Sequence, residues 1–259
     1  MNQKKDDRQK VVVTAGASGI GLAIAQTFLT NGAQVFICDV APQPLDATLS
    51  ENAGLQGAVA DVGKPSSVEA FFKQAIAAMG GIDVLVNNAG IGGPRAKVED
   101  IEYSDWDDCI RINLSGMFYC AKQVVPAMKA QGSGCIINIA TSSAKTGLPH
   151  RLPYVASKVG VLGLSHNLAR ELGPFNIRCN TILPGLIDNP RGRGLVENYA
   201  SENDLSIESA EQEFLKFISL RSWIKPSEIA DTVYFFASGA ARHITGQEIA
   251  VDGNCEWEQ

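Results

Sequence analysis

The sequence predicts an α/β fold, a doubly wound parallel sheet of about seven strands with helices on both faces. Three observations lead to this prediction. Short apolar runs alternate with helical stretches along the whole chain. These runs are continuously apolar, as strands covered on both faces must be, rather than alternating between apolar and polar residues. The 259 residues, of which 45% are hydrophobic and 19% charged, form a globular composition long enough to bury a full core.

The individual elements follow from these runs in order. Strands are expected at residues 10–14, 34–38, 55–60, 82–86, 135–139, 177–182 and 248–251. Helices are expected near residues 19–31, 66–79, 104–130, 154–172 and 226–238. Gly32 ends the first helix, because glycine readily adopts the left-handed conformation found after a helix C-terminus. Pro65 and Ser66 mark the start of the second helix.

Residues 186–221 interrupt this alternation. They contain a turn rich in glycine and proline, followed by an amphipathic stretch. Their place after the sixth strand puts them over the carboxyl edge of the sheet, where ligands bind in folds of this class. We therefore expect one domain over residues 1–259, in which residues 186–221 form a lid over the substrate.

Charge and cysteine usage exclude several classes of function. The 22 Lys and Arg against 28 Asp and Glu give a net charge of −6, which disfavours nucleic acid and anionic membranes as partners. No apolar run is long enough to span a bilayer, and the charged N-terminal segment has no apolar continuation, so no signal peptide is expected. The six cysteines lack metal or disulfide spacing. We expect no metal, reduced thiols and a cytoplasmic protein.

A glycine-rich turn, TAGASGIG at residues 14–21, joins the first strand to the first helix. Gly16, Ser18, Gly19 and Ile20 would bring backbone N–H groups at the helix N-terminus close to a pyrophosphate. Asp39 ends the second strand, where its carboxylate would accept both ribose hydroxyls and repel a 2′-phosphate. This combination predicts NAD rather than NADP. The alternative is an ordinary turn, with Asp39 as a strand-end residue.

A second group of polar residues falls at the carboxyl ends of the later strands. Tyr154 and Lys158 stand four residues apart, directly after Pro153, so both should project from one face at the start of a helix. Asn113 and a hydroxyl pair, Thr141 and Ser142, precede them, and the run Asn88-Ala89-Gly90 follows the fourth strand. The alternative for the tyrosine and lysine is a surface contact.

These motifs resemble those of the short-chain dehydrogenase/reductase family, in its single-domain branch. The resemblance spans residues 10–253 and rests on the glycine-rich turn, Asp61-Val62, Asn87-Asn88-Ala89-Gly90, Asn113, Tyr154 with Lys158, Pro184-Gly185, Thr245-Gly246-Gln247 and Val251-Asp252-Gly253. It implies a Rossmann-type sheet, oxidoreductase activity and a homotetramer assembled through the helices near residues 104–130 and 154–172.

The resemblance also implies roles for individual residues. Tyr154 is the general base or acid, Lys158 binds the nicotinamide ribose, and Asn113 carries a water-mediated proton relay. The remaining cofactor contacts that it implies are Asp61, Val62, Asn88, Ala89, Gly90, Pro184, Gly185, Ile187 and Asn189. Three positions depart from the family pattern. Ala15 stands in place of a glycine, Thr141 in place of the serine that binds substrate (with Ser142 as the alternative), and Asn189 in place of a threonine.

Several basic residues lie where the resemblance places the substrate: Arg95, His150, Arg151, Arg191 and Arg193. In an acidic protein, this local excess predicts an anionic substrate, a hydroxy acid or a sulfonate. The alternative is that the arginines pair with carboxylates of the lid or face solvent. The expected function is hydride transfer between NAD and a secondary alcohol or ketone. The alternatives are an NADP-dependent carbonyl reductase of the 3-oxoacyl type and a non-catalytic regulator that binds NAD.

Overall fold

The computed structural model describes residues 8–256 and contains a seven-stranded sheet in which every strand pair is parallel. The strands are β1 Lys10–Thr14, β2 Gln34–Asp39, β3 Gln56–Val59, β4 Val84–Asn87, β5 Gly134–Ile139, β6 Ile177–Pro184 and β7 Glu248–Val251. Their order is β3-β2-β1-β4-β5-β6-β7, which confirms the predicted fold class. Most of the N-terminal segment considered for a signal peptide lies outside the described residues.

Helices cover both faces of this sheet. They are α1 Gly19–Thr30, α2 Pro42–Glu51, α3 Pro65–Met79, α4 Tyr103–Ile110, α5 Gly116–Gln131, α6 Ser143–Thr146, α7 Leu152–Leu172, α8 Pro190–Glu202, α9 Ile207–Leu215 and α10 Pro226–Ala237. Successive residues of β1 point to opposite faces: Val11 and Val13 pack with α1 and α10, whereas Val12 packs with α3, α5 and the end of α7. Burial on both faces explains why the strands lack an alternating pattern.

Two features of the helices differ from the sequence prediction. The expected helix over residues 104–130 is divided into α4 and α5 by a π-helical turn, Arg111–Ser115. Such π-turns are rare and lie inside otherwise regular α-helices, so one continuous helix was the expectation. Helix α2 was not expected, because it buries only Leu45 and Thr48 and its N-terminal half contains two prolines.

Residues 186–221 contain the helices α8 and α9, which pack on each other beyond the carboxyl end of β6. Val196, Ala200 and Ala210 form a small apolar cluster of their own, together with the partly buried Tyr199 and Phe214. This cluster is separate from the two large clusters of the sheet. Within residues 8–256, no helix is long and apolar enough to cross a membrane.

The strand order changes direction between β1 and β4. The chain continues from β1 to β2 on one side of this pair and from β4 to β5 on the other. Loops that leave the two strands therefore separate at the carboxyl edge and leave a crevice there. The glycine-rich turn follows β1 and the Asn87–Gly90 run follows β4, so both border this crevice.

Candidate active site

The glycine-rich turn bends at position 15, where alanine stands in place of a glycine. Ala15 itself adopts the left-handed conformation, with φ of 51°, which explains why glycine is usual there. Gly16 does not take over this role. A Cβ on Gly16 would lie 2.6 Å from the Ile37 side chain, so this glycine is required for close packing against β2. The left-handed residue of the turn is therefore Ala15 itself and not Gly16.

The N-terminus of α1 is arranged to receive an anion. Ser18 is the N-cap residue, but neither its side chain nor any acidic residue of the first turn satisfies the N–H groups of that turn. Gly19, with φ of 53°, exposes the backbone here, and the Asn189 amide lies 3.8 Å from the position of a Cβ on Gly19. Ile20 is half-buried beside it. Free N–H groups, a positive helix end and absent side chains fit a pyrophosphate.

Asp39 lies at the carboxyl end of β2, next to this turn. Its carboxylate accepts hydrogen bonds from the backbone N–H groups of Ala17, at 3.4 Å, and Ala41, at 3.3 Å. The bonds are long and leave acceptor positions for a ribose. Neither residues 15–20 nor residues 39–41 include an arginine or lysine. The local charge therefore fits an unphosphorylated ribose better than a 2′-phosphate.

Asp61 and Val62 border the crevice beyond β3. The Asp61 carboxylate accepts from the Gly63 N–H at 2.9 Å and is 3.3 Å from the Lys64 ammonium. Val62 is buried and packs against α5, where a Cβ on Gly116 would come within 3.0 Å of its side chain. These contacts give the side of the crevice nearest β3 a rigid wall.

The loop after β4 is fixed to β1 by Thr14. The Thr14 hydroxyl accepts from the N–H groups of Asn88, at 2.9 Å, and Ala89, at 3.0 Å. The Asn88 amide in turn donates to the Thr14 carbonyl at 3.0 Å. Gly90 follows at a crowded point. A Cβ on Gly90 would lie 3.1 Å from Asn113 Oδ1 and 3.2 Å from Lys158 Nζ, so both functional groups converge on this glycine.

Asn113 lies in the π-helical turn and links this loop to α7. Its side chain accepts from the Ile91 N–H at 2.7 Å and donates to the Ile91 carbonyl at 2.9 Å. It also donates to the Ser157 hydroxyl at 3.0 Å, which itself donates to the Tyr154 carbonyl at 2.7 Å. Ser157 was not among the site residues predicted from the sequence. Its position three residues after Tyr154, on the same helix face, was the available signal.

Lys158 is buried beneath Tyr154 on α7. Its ammonium nitrogen donates to the Ile139 carbonyl at 2.8 Å, at the end of β5. Burial, and secondarily the charge of Arg191, lowers the pKa of Lys158 to about 7. Tyr154 is half-buried, one helical turn earlier. Helix α7 therefore carries a half-buried phenol and, one turn later, a buried amine.

The hydroxyl pair lies between β5 and α6. Thr141 accepts from the Ser143 N–H at 3.3 Å, and no acceptor within residues 8–256 binds its own hydroxyl proton. The Ser142 N–H donates to the Pro184 carbonyl at 3.0 Å, which joins the loop after β5 to the end of β6.

Residues after β6 complete this edge of the crevice. A Cβ on Gly185 would lie 2.6 Å from the Asp252 side chain, so this glycine permits close packing. Ile187 is buried and pairs with Ile224. Asn189 caps α8 by accepting from the Gly192 N–H at 2.8 Å.

The five basic residues fall into two groups. Arg95 and Arg193 have carboxylate partners, Arg95 with Glu202 at 2.9 Å and Arg193 with Asp188 at 2.7 Å. His150 is exposed. By contrast, Arg151 donates to backbone carbonyls, and Arg191 lies over the Tyr154 ring, 5.8 Å from its centre. The structure thus brings only two of the five to the tyrosine without an acidic partner, as far as residues 8–256 show.

The chain is similar to several known reductases. A family model described as enoyl-(acyl carrier protein) reductase matches residues 14–254. The chain is 35% identical over 255 residues to a putative ketoacyl reductase of Streptomyces coelicolor, covering 95% of this chain and 97% of that protein. It is 35% identical over 246 residues to the 3-oxoacyl-(acyl-carrier-protein) reductase FabG of Thermotoga maritima, covering 93% and 95%. A crystal structure of an actinorhodin polyketide ketoreductase variant with NADPH is similar at a TM-score of 0.91 and 33% identity, over 97% of this chain and 98% of that one.

Proposed function

Because the chain belongs to the short-chain dehydrogenase/reductase family, we propose that it transfers a hydride between NAD and a secondary alcohol or its ketone. Membership of the family makes the chain a nicotinamide-dependent oxidoreductase that acts on CH–OH or carbonyl groups. The observation that carries the proposal is the convergence of Asn113 Oδ1 and Lys158 Nζ on Gly90, one helical turn from Tyr154. A hydroxy acid or a sulfonate is the form of the substrate that we propose from the arginines.

Tyr154 exchanges the proton of the reacting oxygen in this proposal. In the oxidative direction the substrate O–H proton passes to the Tyr154 oxygen, and in the reductive direction it returns. Thr141 is the residue that we propose to orient the substrate oxygen, because its hydroxyl proton has no acceptor within residues 8–256. Lys158 stabilises the phenolate when it carries its proton. Asn113 holds the loop after β4 and α7 in register through Ile91 and Ser157.

The cofactor would be held along the crevice between β1 and β4. The N–H groups at the start of α1 would bind the pyrophosphate, and Asp39 the adenosine ribose. Asn189 lies beside Gly19 at the start of α1, and Lys158 lies next to Gly90 after β4, where the nicotinamide half would rest. When bound, the nicotinamide supplies or accepts the hydride, and the protein contributes binding, orientation and electrostatics. Asp39 is the reason that we propose NAD.

A second candidate, an NADP-dependent carbonyl reductase of the 3-oxoacyl type, is favoured by the relatives. Two of them are named as ketoacyl or 3-oxoacyl reductases, and the similar ketoreductase structure contains NADPH. Binding of NADH and NADPH, measured by the quenching of intrinsic fluorescence, discriminates the two candidates. Preference for NADH supports the Asp39 argument. Preference for NADPH, with turnover of a 3-oxoacyl thioester, supports the second candidate.

A regulator that binds NAD without turnover is the third reading, and the catalytic set argues against it. A sensor requires neither Tyr154 nor the buried Lys158, whose burial costs stability when the amine is charged. Assay of the purified protein with NADH and a panel of ketones tests this directly. Oxidation of NADH with any of these ketones would exclude a regulator that lacks turnover.

We also propose a lid, an assembly and a location. Residues 186–221 would cover the substrate, because α8 begins beside Asn189 at the crevice.

A homotetramer would cover the large apolar side chains that a single chain leaves exposed along α5 and α7, such as Phe118, 49% exposed, and Val159, 45% exposed. Light scattering at about four times the chain mass of 27.6 kDa would support it, and a monomeric mass would oppose it. Six free cysteines, five of them buried, fit the reducing cytoplasm.

A further inference from the structure

Two guanidinium groups meet above Tyr154 without an acidic partner. Arg191 Nη2 lies 2.6 Å, and Arg151 Nη1 3.4 Å, from the position that a Cβ on Gly92 would occupy. Arg151 donates to the carbonyls of Gly92, at 3.3 Å, and Gly93, at 3.1 Å. Throughout residues 8–256, no carboxylate pairs with either arginine. Two cations this close repel each other, and after burial the largest cause of the lowered pKa of Arg151 is the charge of Arg191.

The neighbouring arginines show how this chain treats a guanidinium that serves only the fold. Arg95 is paired with Glu202 at 2.9 Å. Arg193 is paired with both Asp188 and Glu211, each at 2.7 Å, and stacks on Trp223 at 4.0 Å. In each case an acidic residue of α8, α9 or the preceding turn neutralises the arginine. The same region provides none for Arg191, although it lies at the start of α8.

We infer that Arg151 and Arg191 form a binding subsite for an anionic group of the substrate. The inference rests on the proposed function, because it places the reacting carbon beside Tyr154. Each guanidinium is a planar fork of N–H donors that matches the oxygens of a carboxylate or sulfonate. Arg191 is 5.8 Å from the centre of the Tyr154 ring, so the anionic group belongs close to the reacting carbon. The substrate is accordingly a short oxo acid or hydroxy acid, or the matching sulfonate.

Matched substrates test the subsite. Reduction of 3-oxobutanoate is compared with that of its methyl ester, which has the same ketone without the charge, and 2-oxopropanesulfonate distinguishes the two acids. For Arg191→Gln we expect kcat/KM to fall about 10- to 100-fold on the preferred acid and less than about threefold on the ester, as expected for loss of a charge-assisted contact. Arg191→Lys should retain part of the preference for the acid.

Arg95→Gln is the matched control, because it removes an arginine of the same edge that has its own carboxylate. We expect this variant to change kcat/KM by no more than about twofold for either substrate, as for the loss of an exposed ion pair. The inference is overturned if the wild type reduces the ester as well as it reduces the acids. It is also overturned if Arg191→Gln lowers kcat/KM equally for the acid and the ester and weakens NADH binding. That result would place Arg191 on the cofactor pyrophosphate.

Calorimetry without turnover separates this inference from the proposed function. Butanoate and propane-1-sulfonate, which have no carbonyl to reduce, are titrated into the NADH-loaded protein. Binding that is lost in Arg191→Gln, together with no turnover of any ketone, would support the subsite and contradict the hydride-transfer proposal. Turnover of the ester with no binding of either anion would support the hydride-transfer proposal and contradict the subsite.

Discussion

Substitution of Lys158 by methionine should change how the stability of the cofactor-free protein depends on pH. The ammonium is buried, and its pKa is lowered from 10.5 to about 7 in the folded state. Between these two values the unfolded chain binds a proton that the folded chain does not, so the free energy of unfolding of the wild type rises with pH. Below pH 7 the destabilisation is fully present, and above about pH 10.5 it has disappeared. Lys158→Met removes this contribution.

The size of the effect follows from the shift of 10.5 to about 7. Each pKa unit corresponds to about 1.4 kcal/mol, so the lysine destabilises the fold by about 4 kcal/mol at pH 7.5 and by about 1.4 kcal/mol at pH 9.5. Methionine also leaves the Ile139 carbonyl without its donor, a cost that does not vary with pH. The stability difference between Lys158→Met and wild type should therefore move by about 2.5 kcal/mol in favour of the wild type over this interval.

Urea unfolding at pH 7.5, 8.5 and 9.5, at one protein concentration and without cofactor, measures this difference. Cysteines and other groups that titrate in the same range contribute equally to both proteins and cancel. Lys73→Met, at an exposed lysine of α3, is the matched control. Its free energy of unfolding should depend on pH in the same way as that of the wild type. Parallel profiles for Lys158→Met and wild type would refute the claim that the folded protein holds this amine in a strongly desolvated site.

Three further predictions concern the crevice. Asp39→Ala should shift the ratio of NADPH to NADH affinity about 10- to 100-fold toward NADPH, because it removes repulsion of the 2′-phosphate. Fluorescence titration with each cofactor measures this ratio. An unchanged ratio, or an equal shift in Asp46→Ala, a control at an exposed carboxylate, would contradict the prediction. Thr141→Ala should lower kcat by about 100-fold and Ser142→Ala by less than about threefold, if Thr141 binds the substrate oxygen; steady-state kinetics decides, and the reverse order would assign the role to Ser142. Ala15→Gly should stabilise the fold by about 0.5–1 kcal/mol, because it relieves the left-handed conformation; a lowered melting temperature would oppose this.

Much of the fold was predictable because its determinants are local. Continuous apolar strands and the helices between them follow directly from the residues, and the order of the motifs along the chain placed the site at the carboxyl edge. The π-helical turn was not predicted, since such turns are rare and lie inside otherwise regular helices. Helix α2 escaped because only Leu45 and Thr48 of it are buried.

The site residues likewise divide into those that local sequence predicted and those that depend on contacts distant in the chain. The sequence indicated Tyr154 and Lys158 through their spacing, but the burial of the lysine depends on β5, which is distant in the chain. Ala15 was recognised as a departure from the family pattern, and only the structure shows that it adopts the left-handed conformation, with φ of 51°. Which arginines have carboxylate partners depends on how α8 and α9 fold back. The family resemblance therefore gave five basic candidates for the substrate pocket, and the geometry leaves Arg151 and Arg191 without a carboxylate partner among residues 8–256.

The most direct test of the account is single-turnover reduction of 3-oxobutanoate and its methyl ester by the NADH-loaded protein, for the wild type and Tyr154→Phe. We expect Tyr154→Phe to bind NADH within about twofold of the wild type. We also expect the rate of NADH oxidation to fall about 100- to 10,000-fold, which is the contribution of a positioned acid. Oxidation of NADH by Tyr154→Phe at a rate within tenfold of the wild type would contradict the assignment of proton transfer to this residue.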